Sequence, residues 1–447
     1  MRILFVVPNV PSFIRPRPLN FIRRLSQIHE VSVLCLATND SDYRFVSELH
    51  QYCQNLEVIK LSRWRSLWNC LLALLSYKSL RVAYFYSPRL RDRVKARIDR
   101  KEVDLVHAEH LKSVPMVECA IGQVSAIFDA VDCVSMLETR RRKTIKNPFL
   151  KLFFWIESKK TMRLETRAAE LFNRVVISSP VDNESYPVPR GLRETLEVIP
   201  NGVDLEHFGF QQFEPQKNLL VFCAKLDYFP NQDAALYFTQ SVWPLLRVRR
   251  PELQLEIVGS RPPRSLRRLD GKDNIRVIAS VPDVKPYLGR AWVALCPIRI
   301  RAGIQSKVLE AMALGVPMVA TRICCPGLAI EAGKHLLVAD APGEFVAAIE
   351  LLLDNVTLRN KLVQAARTYV ERQHNWTGCV AALCNAYAEA TANFRFRWEA
   401  NGSAEDKVLA ATYIIGAADC SVRTADQMAG WRGRVLSPPR CRTRWRI

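Results

Sequence analysis

Short apolar runs alternate along most of this chain with longer stretches in which apolar positions recur every three or four residues. Runs of four to six residues suit strands buried on both faces, whereas the longer period suits helices with one buried side. In the first half the strand-like runs are Ile3–Val7, Val31–Leu36, Leu56–Ile59, Asp104–His107, Ser125–Phe128 and Val175–Ser178. Helical patterns lie between them, including Leu19–Gln27 and a charged stretch from about Phe149 to Phe172. The second half offers Leu219–Cys223, Gln254–Val258, Ile275–Ile278, Val293–Cys296, Val316–Ala320 and Leu336–Val338. Helical patterns there cover Gln232–Arg249, Gln305–Leu314, Pro342–Leu353 and Leu358–Gln373. Strand and helix alternating twice over predict two doubly wound α/β domains. In such sheets ligands bind past the carboxyl ends of the strands, so chemistry is expected in a cleft between the domains.

The irregular, proline-bearing segment Pro180–Pro189 reads as the linker. The expected organisation is a first domain over 1–190, a second over 191–375, a helix over 376–393 returning to the first, and a basic, flexible tail over 394–447. A length of 447 residues, 49% of them apolar, allows each half its own core. The opening run is cut at Pro8, too short for a signal peptide, and no stretch of about 18 uninterrupted apolar residues predicts a spanning helix. The 13 cysteines are scattered without zinc spacing, which suits a reducing cytoplasm and implies no metal.

Charge changes the picture more. Against 44 acidic residues stand 64 Lys and Arg, a formal +20, favouring anionic partners. No aromatic–basic motif supports nucleic acid, which leaves phosphorylated substrates and anionic lipid. The segment Pro297–Pro317, PIRIRAGIQSKVLEAMALGVP, fits the first of these. A strand ends at Pro297, a glycine loop follows, and a helix runs from about Gln305 to a cap at Gly315. The free amides of Gly303, Ile304 and Gln305 form a phosphate cradle at the helix start. Lys307 supplies charge to a diphosphate, and Glu310, three residues on along the same face, accepts ribose hydroxyls. A surface Lys–Glu pair on an ordinary helix is the competing reading.

This stretch resembles the nucleotide-sugar site of retaining glycosyltransferases of family four, which have the two-domain GT-B fold. It is most similar to the exopolysaccharide-associated branch that reads GIQNKVLEAMA. Ile199–Phe208 (IPNGVDLEHF), Leu226–Ala234 (LDYFPNQDA) and Ile257–Pro262 (IVGSRP) resemble further segments of that branch, in the family order. The likeness covers about Met1–Ala390 and is stronger after Ile199. It implies sugar transfer from a nucleotide-diphosphate donor to a glycan or polyprenyl-linked acceptor, with retention and with no metal or other cofactor. Glu310 matches the second glutamate of the family's pair, which binds the ribose, while the first falls at Ala302 and is missing. Lys225 stands where many members have an arginine, and Pro230–Asn231 replace the lysine that usually follows, which makes Asn231 a donor-side candidate.

Where the family has a glycine loop after the first strand, Pro8–Pro18 has no glycine but offers Arg15 and Arg17 as anion or acceptor contacts. Two strand ends, DLVHAEH and FDAVD, bring polar groups toward the reacting sugar. Glu109, His110 and Asp132 are the catalytic candidates there, and His107 fits a buried, strand-finishing role. Arg63–Leu75, with Trp64 and Trp68 on one helical face, reads either as a helix lying on an anionic membrane surface or as one packed on the sheet. The chain is therefore expected in the cytoplasm, peripheral at the inner face of the cell membrane in the first case. Two alternatives share the fold: a sugar-nucleotide epimerase or phosphorylase, and a degenerate protein that binds a nucleotide sugar or glycan without turnover.

Overall fold

The computed structural model describes residues 1–13, 15–189, 191–300 and 304–401. Both predicted domains are present in the first of two compact units, Met1–Thr391. Of the second unit, Ala392–Ile447, the described residues continue the Trp376–Asn401 helix, and the expected tail beyond them lies outside the described residues.

The first sheet contains β1 (Arg2–Val7), β2 (Glu30–Ala37), β3 (Asn55–Lys60), β4 (Leu105–Glu109), β5 (Ser125–Val131), β6 (Arg174–Ile177) and β7 (Leu196–Val198). The second contains β8 (Leu219–Cys223), β9 (Gln254–Gly259), β10 (Ile275–Ala279), β11 (Val293–Cys296), β12 (Met318–Ala320) and β13 (Leu337–Val338). Every pairing is parallel, in the orders β3-β2-β1-β4-β5-β6-β7 and β10-β9-β8-β11-β12-β13. Each order reverses once, between β1 and β4 and between β8 and β11, and these switch points open the crevices that hold ligands in such sheets. The unpredicted β7 shows that the first sheet extends past the expected boundary at 190. It pairs along β6, with only partly buried residues, so it lacks the apolar run that marks the other strands.

Burial on both faces explains why the strands read as apolar runs. Ile3, Phe5 and Val7 face one core with Phe21 and Ile22, while Leu4 and Val6 face another with Leu90, Val94 and Phe128. Trp376, Leu383 and Tyr387 of the last helix complete the former core, so this helix returns to the first sheet. The predicted Gln232–Arg249 helix is interrupted. Helix covers Phe229–Tyr237 and Trp243–Arg249, and a π-turn over Phe238–Val242 joins them. Pro244, which has no N–H and crowds the preceding turn, is the physical reason.

Arg17 overturns its expected role as a cleft contact. It is 4% exposed; Nε donates to Asp129 Oδ2 at 2.7 Å, and Nη1 donates to Ile199 O and to Asn201 Oδ1, both at 2.9 Å. Asp129 lies 3.8 Å from His107 Nε2, and His107 Nδ1 is 2.8 Å from the Tyr387 hydroxyl. Burial pushes the His107 pKa down to about 4, so the ring is neutral. The Tyr387 hydroxyl donates to Nδ1, and the Nε2 proton faces the carboxylate. One ion pair thus joins the end of β5, the segment leaving β7 and, through His107, the last helix. Arg17→Ala strands a buried carboxylate and is expected to cost about 3–5 kcal/mol, read as a lowered urea midpoint and thermal midpoint. An unchanged midpoint would remove the pair from this role.

Candidate active site

The loop after β1 carries Arg15 to the first switch point. Its Nη1 donates to Val10 O at 3.0 Å and lies 3.7 Å from Asp42, leaving the side chain 28% exposed. Across the switch point, β4 ends at Glu109. Burial, and then the nearby charge of Asp129, push its pKa up to about 7, against the opposing pull of Lys112, Arg17 and Arg15. His110 turns the chain with φ 64°, its N–H donating to Asp129 O at 2.7 Å, and its Nδ1 accepts from the Lys112 amide at 3.3 Å. Burial and the Lys112 and Arg81 charges hold its pKa well below 6.5. The imidazole is therefore neutral with its proton on Nε2, a hydrogen-bond donor rather than a base.

Lys112 and Arg81 were not expected here. Lys112 lies over the Phe85 ring at 3.9 Å, and burial together with the Arg81 charge pushes its pKa down to about 7. Its position three residues past Glu109 was the available signal. Arg81, on the Leu80–Phe85 helix, pairs with buried Glu138 at 3.4 Å and had none. Asp132, just past β5, is partly buried and close enough to Tyr228 of the second domain to raise that hydroxyl's pKa, after burial.

Lys225, just past β8, meets this group from the second domain. Burial lowers its pKa, as do the Arg15 and Arg261 charges, while Asp227 opposes them, and Lys225 in turn acts on Lys112. Its loop is pinned from three sides. Asn231 Nδ2 donates to Lys225 O at 2.8 Å, Ala224 N to Val258 O, and Leu226 N to Ser260 O. A Cβ at Gly259 would stand 1.7 Å from Ala224 O, so only glycine permits this approach. Asn231, 6% exposed, is thus a support for the Lys225 loop and is corrected from its expected place as a donor contact.

At the second switch point the Ser306–Leu314 helix begins, and Gly315 closes it at φ 78°, ψ 32°. Ile304 is buried, and Gln305 precedes the first turn, its Oε1 accepting from Lys307 Nζ at 2.8 Å. Glu310 is mostly buried; that burial, opposed by Lys307, pushes its pKa up to about 7. Both charges act on Cys223 at the end of β8, which places them over that strand's carboxyl end. Gly303 and Ala302 lie outside the described residues. The first domain therefore contributes Arg15, Glu109, His110, Lys112 and Asp132, and the second Lys225, Gln305, Lys307 and Glu310.

Residues 217–355, which contain this second half of the site, match the family described as Glycosyl transferases group 1. This match spans the whole second sheet, β8 to β13. The chain is 24% identical over 336 residues to D-inositol 3-phosphate glycosyltransferase of Paenarthrobacter aurescens (strain TC1), covering 68% of this chain and 78% of that protein. It is 27% identical over 135 residues to glycosyltransferase 1 domain-containing protein 1 of Xenopus tropicalis, 29% of this chain and 39% of that one. Among solved structures, Anabaena HepE in complex with UDP and glucose superposes with a TM-score of 0.63 at 13% identity, over 87% of this chain and 99% of HepE. TarM gives 0.62 at 9% identity over 87% and 99%. The fold of these neighbours, two facing Rossmann-like domains of the GT-B kind, is the fold of this chain.

The raised carboxyl of Glu310 carries a stability consequence with a fixed sign. Between about pH 4.5 and 7 the folded state binds more protons than the unfolded state, so stability falls as pH rises through that window. Glu310→Gln is expected to raise the thermal midpoint of the ligand-free protein at pH 8 and to leave it unchanged at pH 4. Equal midpoints at pH 8 would mean that the second domain does not hold this carboxylate away from water.

Proposed function

We propose that this chain transfers a sugar from a nucleoside-diphosphate donor to a glycan or polyprenyl-linked acceptor, with retention and without a resident metal or other cofactor. The carrying observation is the juxtaposition at the two switch points. A helix start with Lys307 and Glu310 stands over β8, and Lys225 bridges toward Arg15 and Lys112 of the first domain. The group 1 match supports a glycosyl donor, and the HepE complexes with UDP and with UDP-glucose support a nucleotide sugar.

In this reading Glu310 accepts the ribose hydroxyls while Lys307, the helix amides from Ile304 onward and Lys225 take the diphosphate. These groups are in place before the bond breaks, so negative charge developing on the leaving phosphate meets oriented donors at little reorganisation cost. The acceptor hydroxyl approaches on the same face and passes its proton to the departing phosphate, so no protein nucleophile is needed. Neutral His110, through Nε2–H, and Glu109 and Asp132 orient the sugar and acceptor hydroxyls. A cytoplasmic donor pool and exopolysaccharide assembly fit this chemistry. The absent first glutamate, at Ala302, favours one second reading, a protein that binds the donor without turnover.

Calorimetry with a panel of nucleoside diphosphates and their sugars tests the donor site. Glu310→Ala is expected to weaken the selective ligand by about 1.5–3 kcal/mol, the range for hydrogen bonds to charged groups. A folded protein that binds none of them contradicts the proposal, and binding without product selects the second reading. Where product forms, its anomeric configuration by NMR should match the donor's, and transfer should survive EDTA. Inversion or metal dependence would refute that part.

A further inference from the structure

Two helices of the first domain are turned inside out. On the Arg63–Leu74 helix the buried residues are Ser66 and Ala73, while Trp64, Leu67, Trp68, Leu71 and Leu72 face solvent, Trp64 at 84% exposure. On the Pro148–Leu171 helix Glu157, Ser158, Thr161 and Glu165 are buried. Phe149, Leu152, Phe153 and Ile156, spaced i, i+3, i+4 and i+7, are exposed, Phe149 at 81%. Hydrogen bonds hold much of the polar inward face. Glu157 accepts from Ser79 Oγ at 3.2 Å and Leu80 N at 2.8 Å, and Glu165 accepts from Val134 N at 2.7 Å. These helices are therefore placed with their apolar sides outward, and an apolar surface of this kind in water marks an interaction site.

The two faces adjoin. Lys160 Nζ donates to Ala73 O at 3.0 Å, and the turn after the first helix is held against the second by the Glu157 bonds. Charge decides what covers them. Residues 63–78 contain no acid, and the only acids in 134–160, Glu138 and Glu157, are buried. Between the Val134–Thr144 and Pro148–Leu171 helices lies an open cavity of about 560 Å³ lined by Arg142, Lys143, Lys151, Leu152 and Trp155. Three cations beside a Leu and a Trp suit a lipid phosphate with its chain. A protein partner or second copy with the same cationic face would meet like-charge repulsion.

The geometry points to a bilayer-docking surface in which Trp64, Trp68, Leu71, Phe149 and Phe153 enter the interface of an anionic membrane and Arg142, Lys143 and Lys151 take a lipid headgroup. Arg141, on the same hairpin, lies 4.8 Å from the Phe229 ring, just past Lys225's loop, so the docked face adjoins the cleft. An acceptor anchored in the bilayer then reaches the site without leaving it. The docking does not depend on the transferase reading and is measurable without donor or activity.

Flotation of the full chain with vesicles of phosphatidylcholine, alone or mixed with phosphatidylglycerol, tests this. Binding is expected to the mixed vesicles and to weaken with salt. Arg142→Glu, Lys143→Glu and Lys151→Glu together should lower partitioning by about 100-fold or more, at about fivefold for each cation near the surface. Phe149→Ser with Phe153→Ser should lower it by about tenfold or more per residue, and unchanged thermal midpoints check that both variants are folded. No binding by the wild type, or binding that both variants retain, overturns the inference. So does a concentration-dependent dimer in sedimentation equilibrium that Phe149→Ser with Phe153→Ser dissolves, since that gives the face to a second copy.

Discussion

The buried pair of Arg17 and Asp129 is the constraint on which the arrangement of the rest depends. A guanidinium and a carboxylate at 4% and 0% exposure lose most of their hydration, and they are tolerated only where further hydrogen bonds replace it. Here the carbonyl of Ile199, the amide oxygen of Asn201 and the amide of Val131 supply those bonds, and His107 and Tyr387 extend the network to the last helix. The pair therefore fixes where the chain leaves the first sheet for the second. That departure sets which strand ends face each other, and with them the positions of Arg15, Lys112 and Lys225.

Around the cleft the electrostatics follow from burial. Burial, and then repulsion from Arg15 and Arg81 and between themselves, lowers Lys112 and Lys225, so the positive charge of the cleft is costly to keep. An anionic ligand would relieve that repulsion, and under the proposed function that anion is the diphosphate of the donor. Glu109 and Glu310 sit near neutrality because they are withdrawn from water, so each exchanges protons in the working range of a cell.

Much of the architecture was legible in the sequence, because parallel strands buried on both faces leave uninterrupted apolar runs. The short, half-buried β7 left none, and Pro244 broke a helix whose period looked continuous. The Ser306–Leu314 helix was legible for a local reason: Gln305 and the left-handed Gly315 bound it directly. Arg17 and Asn231 were misread because their partners, Asp129 and the Lys225 carbonyl, are matters of tertiary placement. Arg81 was invisible for the same cause. The two inverted helices were legible as amphipathic, but periodicity alone does not say which face points inward. Gly303, also singled out from sequence, lies outside the described residues.

The central claim is that the two switch points form one nucleotide-sugar site. Hydrogen exchange of the full chain with and without a saturating nucleoside diphosphate tests it most directly. The account predicts slowed exchange at 304–310 and 224–231 and, from the other domain, at 109–113. Protection confined to the second domain would break the single-site claim, and protection in neither would contradict the account outright.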